Sequence, residues 1–423
     1  MNKADKITRY HWVLFFICFV GTVLAGAIST LMAVYLPVAV RDLLGDKNPD
    51  ELNYISAYIN SVFVFGGAFG GVIAGSIGDR AGRKTAVVVS IACVGFFAIL
   101  TGLMPNWWGV VICRFFTGFG FGGILVTTTT VMMEEWPAKT RAIFVGILSI
   151  SIPVGIFSAG AIDYVVSSWR DGFWIGLFPL LVAMLAIWMM RESKRWQEDQ
   201  RKVKTSGTIE KLFGPGHRLN LVIGSLIFGT MLIGLWAIFS WLPTWIQSLL
   251  PNSDAQKERG VSMMMLGMGG LTGGFLSGWL ANAMGLRRAL LLCFAACSVM
   301  AFVLFKTNTV FSSVIFIEIA VLALFFGASQ GILSVFIPQL FPTAIRARAT
   351  GICFNTGRLV TASAVFFIGV LVVVLGGYGN ALFILSWIFV LGLIVTLLSR
   401  KHQGGELDDD NAGEILNHEE VII

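Results

Sequence analysis

Four charged side chains stand inside long apolar stretches of this chain: Arg114, Asp163, Glu318 and Arg358. A charge in hydrocarbon is costly and almost always faces a bundle interior or a water-filled cavity. Arg358 lies about nine residues into a stretch that begins near Ala349, with Asn355 three residues earlier on the same helical face and no acid one turn away. A guanidinium at that depth suits an anionic ligand, because arginine grips carboxylates bidentately. The alternative is pairing with backbone carbonyls at a helix break. Arg114 lies about seven residues into its stretch, and three partners match its height. Asp163 does so because Arg114 is 23 residues before Pro137 and Asp163 is 26 after it. Glu318, 24 residues before Pro342, is the equivalent in the other half of the chain. An anionic substrate is the third partner, and a static structural pair is the bland alternative. A carboxyl balanced between burial, which favours the neutral acid, and an arginine, which favours the carboxylate, could carry a proton. Glu318 is the first such candidate and Asp163 the second. The alternative for Glu318 is that it tips into the outer headgroups.

Hydrophobic residues make up 56% of the 423 positions and charged residues 13%. A soluble domain carries roughly 25% charged residues, so the chain reads as an all-α membrane protein. Its apolar segments are continuous rather than alternating, which selects helices over a β-barrel. Twelve are expected, at 12–37, 53–77, 85–104, 107–133, 141–165, 172–190, 219–249, 260–283, 289–305, 309–336, 349–375 and 379–398. They form two halves, 1–190 and 219–400, joined by a polar linker at 191–218 and followed by an acidic tail at 401–423. The tail reads as disordered and solvated. The halves repeat. Five glycines of Gly66–Gly75 match five of Gly269–Gly278 at an offset of 203, and Pro137, Arg141, Ala142 and Gly146 match Pro342, Arg346, Ala347 and Gly351 at 205.

Lysines and arginines divide 22 to 6 between the two sides, with Arg259 and Lys257 counted on the poorer side. This places both termini in the cytoplasm of a cell (inner) membrane. Lys3, Lys6 and Arg9 before an apolar run, with Ala25-Gly26-Ala27, imitate a signal peptide, but the run continues to Leu36 and is too long. Six cysteines within spans imply no disulfide framework, and no ligand spacing implies a metal or cofactor. No nucleophile–base set appears, so an enzyme is not expected. The net charge of +6 follows topology rather than marking nucleic-acid binding. The partners expected are a small-molecule substrate, protons and membrane lipid, with the chain acting as a monomer.

Gly75-Ser76-Ile77-Gly78-Asp79-Arg80-Ala81-Gly82-Arg83-Lys84 resembles the signature between helices 2 and 3 of the major facilitator superfamily. Arg114-Phe115-Phe116-Thr117-Gly118-Phe119-Gly120-Phe121-Gly122 resembles that superfamily's helix 4. Glu134 with Arg141, and Arg191-Glu192-Ser193-Lys194-Arg195-Trp196, resemble its sugar porters. Trp241-Leu242-Pro243-Thr244, Phe341-Pro342-Thr343-Ala344-Ile345-Arg346-Ala347, Asn355 and Gly357-Arg358 resemble its metabolite:proton symporters for aromatic acids, sialic acid and niacin. The resemblance implies twelve helices in two pseudo-symmetric halves that rock about a central site. It also implies a conformational gate at Gly75, Asp79, Gly82, Arg83, Glu134, Arg141 and Arg346. Two departures stand out: helix 1 holds Ala27, Ile28 and Ser29 where those symporters carry an acid, and Gln339 replaces a glutamate. Asp163 could stand in for the missing acid.

Trp236, Trp241 and Gln330, with Phe239 and Ser240, are expected to line the cavity, whereas Trp107, Trp108, Trp169 and Trp196 read as interface anchors. Helix 5 has Pro153 and Gly155 but no Gly-Pro pair, which argues against an exporter. The expectation is proton-coupled uptake of a small organic anion. A sugar or polyol porter and a transporter-fold sensor are the alternatives.

Overall fold

The computed structural model describes residues 7–45, 49–193, 196–197, 215–250, 254–342 and 345–399. Among them stand twelve long helices: α1 (Arg9–Leu44), α2 (Pro49–Arg80), α3 (Arg83–Leu103), α4 (Trp107–Glu135), α5 (Ala138–Val165), α6 (Trp169–Met189), α7 (Pro215–Leu249), α8 (Gln256–Met284), α9 (Leu286–Thr307), α10 (Val314–Gln339), α11 (Arg346–Val374) and α12 (Tyr378–Leu398). Eleven are long and apolar enough to cross a membrane; α8, polar at its start and glycine-rich beyond, is identified by being the repeat mate of α2. Most of the linker and all of the acidic tail lie outside the described residues.

Each half has its own apolar core, and the same glycine device builds both. On α2, Gly66 and Gly70 lie so close to the Phe115 and Phe119 carbonyls of α4 that a Cβ would collide with backbone. On α8, their mates Gly269 and Gly273 lie equally close to the Ala320 and Leu324 carbonyls of α10. Gly122 sits on the Gly67 carbonyl, and its mate Gly327 on the carbonyl of Gly270. Small residues four apart on one helical face permit this approach, which is how helices in a membrane gain packing contact. The α2–α3 and α8–α9 reversals turn on Gly82 and Gly285, at φ +107° and +82°, where a side chain would be strained.

The halves meet unevenly. On the side away from the linker, Gly160 of α5 abuts the Gly260 carbonyl of α8, and Gly267 abuts the backbone of Phe157. Asn60 of α2 donates to the Ser240 carbonyl of α7 at 3.2 Å, and the Tyr378 hydroxyl of α12 donates to Asn53 Oδ1 of α2. Toward the linker side, Gly146, Gly274, Gly278 and Gly351 have open space where a Cβ would point. The backbones of the two halves therefore touch on the far side.

Two sequence expectations are corrected here. Trp169 is 3% exposed, with its Nε1 donating to Asp42 Oδ2 at 3.0 Å, because the short turn into α6 folds the indole inward rather than toward lipid. Arg259 is not in a loop: α8 begins at Gln256, and Arg259 is 1% exposed.

Candidate functional site

Arg358 lies 16 residues from the far end of α11, and Gln330 16 residues from the far end of α10. At 1.5 Å per residue both sit roughly 24 Å down their helices, and so at comparable depth. The Arg358 side chain crosses toward the other half, its Nη1 3.3 Å from where a Cβ on Gly71 of α2 would stand. Gly71 thus leaves room for the guanidinium. Among the described residues Arg358 has no hydrogen-bond or ion-pair partner. The buried Gln330 Nε2 and Asn355 Oδ1 also lack one. A cation, a donor and an acceptor without protein partners among the described residues thus occupy two neighbouring helices.

Above them lies an aromatic group shared by the two halves. Trp236 of α7 stands 6.0 Å from Phe63 of α2, 6.0 Å from Phe121 of α4 and 5.1 Å from Phe239, centroid to centroid. Behind Phe63, 4.1 Å from its ring centroid, is the Arg114 guanidinium. Arg114 is 1% exposed and pairs with neither expected acid; Nη1 and Nη2 donate to the Ile28 and Ser29 carbonyls of α1 at 3.3 and 3.0 Å. Those carbonyls lie in the acid-free stretch of α1. Trp241 lies higher, fully buried in the far-side seal 5.9 Å from the Tyr378 ring.

Neither acid meets Arg114. Glu318 accepts from Asn308 Nδ2 at 2.6 Å, four residues from the far end of α10. Asp163, fully buried, faces Arg259 Nη2 of the opposite half at 3.7 Å. Sequence reasoning missed Arg259. The repeat held a usable signal: Arg259 is the offset-203 mate of Ser56, inside the expected helix 2, so helix 8 had to begin before it.

On the linker side Arg83 binds Asp79 Oδ1 at 2.7 Å and Glu134 Oε1 at 2.9 Å, tying α3 to α2 and α4 within one half. Gly75 lies beside Val126 of α4. Arg141 donates to the Trp136 carbonyl, and its repeat mate Arg346 to the Phe341 carbonyl, each five residues back. At the equivalent places in the second half Asn282, Leu286 and Gln339 replace Asp79, Arg83 and Glu134, so the charged triad has no equivalent there. Glu192 Oε1 accepts from the Arg83 and Lys84 amides at 2.6 and 3.2 Å, capping α3, and Trp196 Nε1 donates to the Asp79 carbonyl at 2.9 Å. Glu192→Ala removes this cap and is expected to cost about 1–2 kcal/mol, read as a melting temperature lowered by a few degrees.

The Major Facilitator Superfamily profile matches residues 12–365. The cis,cis-muconate transport protein of Acinetobacter baylyi is 25% identical over 422 residues, covering 95% of this chain and 98% of that protein. The sialic acid transporter NanX of Escherichia coli is 28% identical, covering 80% and 82%. The 4-hydroxybenzoate transporter PcaK of A. baylyi is 25% identical, covering 92% and 90%. Among solved structures, the partially occluded inward-open xylose transporter XylE from E. coli superposes with a TM-score of 0.77 at 15% identity, covering 94% of this chain and all of that one.

Proposed function

Since this chain belongs to the Major Facilitator Superfamily and is a multi-pass membrane transporter, we propose that it takes up a small organic anion together with protons by alternating access. The observation that carries the reading is Arg358: a cation deep in the bundle, turned toward Gly71 of the other half, with no partner among the described residues. Substrate would place a carboxylate on Arg358, take hydrogen bonds from Gln330 and give them to Asn355, and rest its apolar body against Trp236 and Phe63. That arrangement follows the usual plan of a ligand pocket, apolar walls with a few placed polar groups. The resemblance to carriers of muconate, 4-hydroxybenzoate and sialic acid supports an acid as cargo.

Arg114 then acts at one remove, holding α1 against α4 and backing Phe63. Glu318 and Asp163 are the two acids within the spans proposed to carry the proton. Asp163 lies on the seam that must open, whereas Glu318 is confined to one half. The 22-to-6 division of basic residues supports placing the linker side in the cytoplasm and the far-side seal on the outer face. Gly75, Asp79, Gly82, Arg83, Glu134, Arg141 and Arg346 would then gate the cytoplasmic mouth.

Proteoliposomes test the coupling. An inwardly directed proton gradient is expected to drive accumulation of a transported acid, and a protonophore to abolish it. Accumulation indifferent to the gradient contradicts symport.

A further inference from the structure

The far-side seal contains a buried charge pair that belongs to neither the substrate cavity nor the linker-side triad. Asp163 of α5 is fully buried, and Arg259 of α8 is 1% exposed. They come from opposite halves. Their closest approach is 3.7 Å, and neither carboxylate oxygen of Asp163 has a hydrogen-bond partner among the described residues. A hydrogen bond crosses the seam here to the Asp163 backbone, whose carbonyl accepts from Gln256 Nε2 at 2.5 Å. Arg259 is better supplied. Its Nη1 donates to Gln247 Oε1 of α7 at 2.5 Å and to the Asp254 carbonyl at 2.6 Å, both within its own half. The other ionisable groups beside the pair are Asp254, which leads into α8, and Tyr35 of α1, whose hydroxyl is committed to the Val166 carbonyl at 2.7 Å.

The asymmetry has a mechanical consequence. When the halves part on the far side, Arg259 keeps Gln247 and the Asp254 carbonyl, whereas Asp163 leaves with α5 and loses its one counter-charge. Around the pair the backbones touch at Gly160 and Gly260, so water reaches Asp163 only when the seam opens. A buried charge deprived of its partner is strongly destabilising, which couples this pair to the position of the seam.

We propose that Asp163 and Arg259 form the latch of the far-side gate, and that Gln247 holds Arg259 when the latch is open. The inference rests on alternating access but not on the charge of the cargo. Its test is therefore made without substrate, by hydrogen–deuterium exchange of the full-length protein in nanodiscs. Asp163→Asn and Arg259→Gln are each expected to raise exchange several-fold in the far-side ends of α5 and α8, and exchange around Gly118 is expected to stay unchanged. The double exchange Asp163→Arg with Arg259→Asp is expected to return both ends toward the parental rate. Single variants that leave the seam as protected as in the parent overturn the proposal. So does a charge-swapped protein as open as the singles.

Discussion

Arg358→Gln is expected to abolish measurable uptake of the transported anion while leaving the folded yield intact. Truncating one member of a buried charge pair costs roughly 2–5 kcal/mol of binding, and each 1.4 kcal/mol is about tenfold. Affinity should therefore fall by roughly thirtyfold to several-thousandfold. Folding should be spared because, among the described residues, Arg358 holds no protein acceptor that its loss would strand. Arg358→Lys keeps the charge but loses the planar fork that grips a carboxylate at two points, and should retain partial affinity. Radiolabelled uptake, paired with size-exclusion yield of the same variants, reads both effects. An Arg358→Gln protein that transports normally would remove the cation from the site.

The second large effect comes from one substitution placed at two glycines. Gly118→Val puts a branched side chain onto the Phe63 backbone within the first half, where the α2–α4 contact builds the core. Overpacking a tight contact costs typically 1–3 kcal/mol and occasionally more, and here the obstacle is backbone that cannot swing away. A sharp fall in folded yield is expected. Gly267→Val meets the Phe157 amide nitrogen 2.6 Å away, but across the seam between the halves. Each half can still fold on its own core, so yield should survive. What fails is closure of the far side, so uptake should fall to background while the folded protein remains. Expression yield and uptake measured side by side separate the two. If both variants lose folded protein equally, the seam is part of the folding core rather than a moving joint.

The glycine pattern explains why so much of the fold was legible. Helices that touch through backbone must place small residues four apart, and Gly66, Gly70, Gly118 and Gly122 announce those contacts directly in the chain. Their recurrence at Gly269, Gly273 and Gly327 carries the second half with it. The depth of Arg114 and Arg358 was legible for a similar reason, since an apolar run counts residues from its end. Partner choice was not. Arg114 and Asp163 were matched by height alone, but side chains one residue apart on a helix point about 100° apart. Equal height therefore leaves open which neighbour a side chain faces. In the structure Arg114 turns to the α1 carbonyls and Asp163 to the other half. Trp169 and Arg259 were misplaced because both stand within a turn of a helix end, where burial depends on how the chain enters the helix.

Whether the central site recognises negative charge is tested most directly by matched ligand pairs. Thermal shift of the purified protein should be measured against small carboxylic acids, their primary amides and neutral sugars. A ligand at 100 times its Kd stabilises by about 2.7 kcal/mol, which a melting curve resolves. At least one acid is expected to raise the melting temperature, its amide is not, and Arg358→Gln is expected to erase the shift. Stabilisation by sugars or amides alone, or an acid-induced shift that survives Arg358→Gln, would contradict recognition of negative charge at this site.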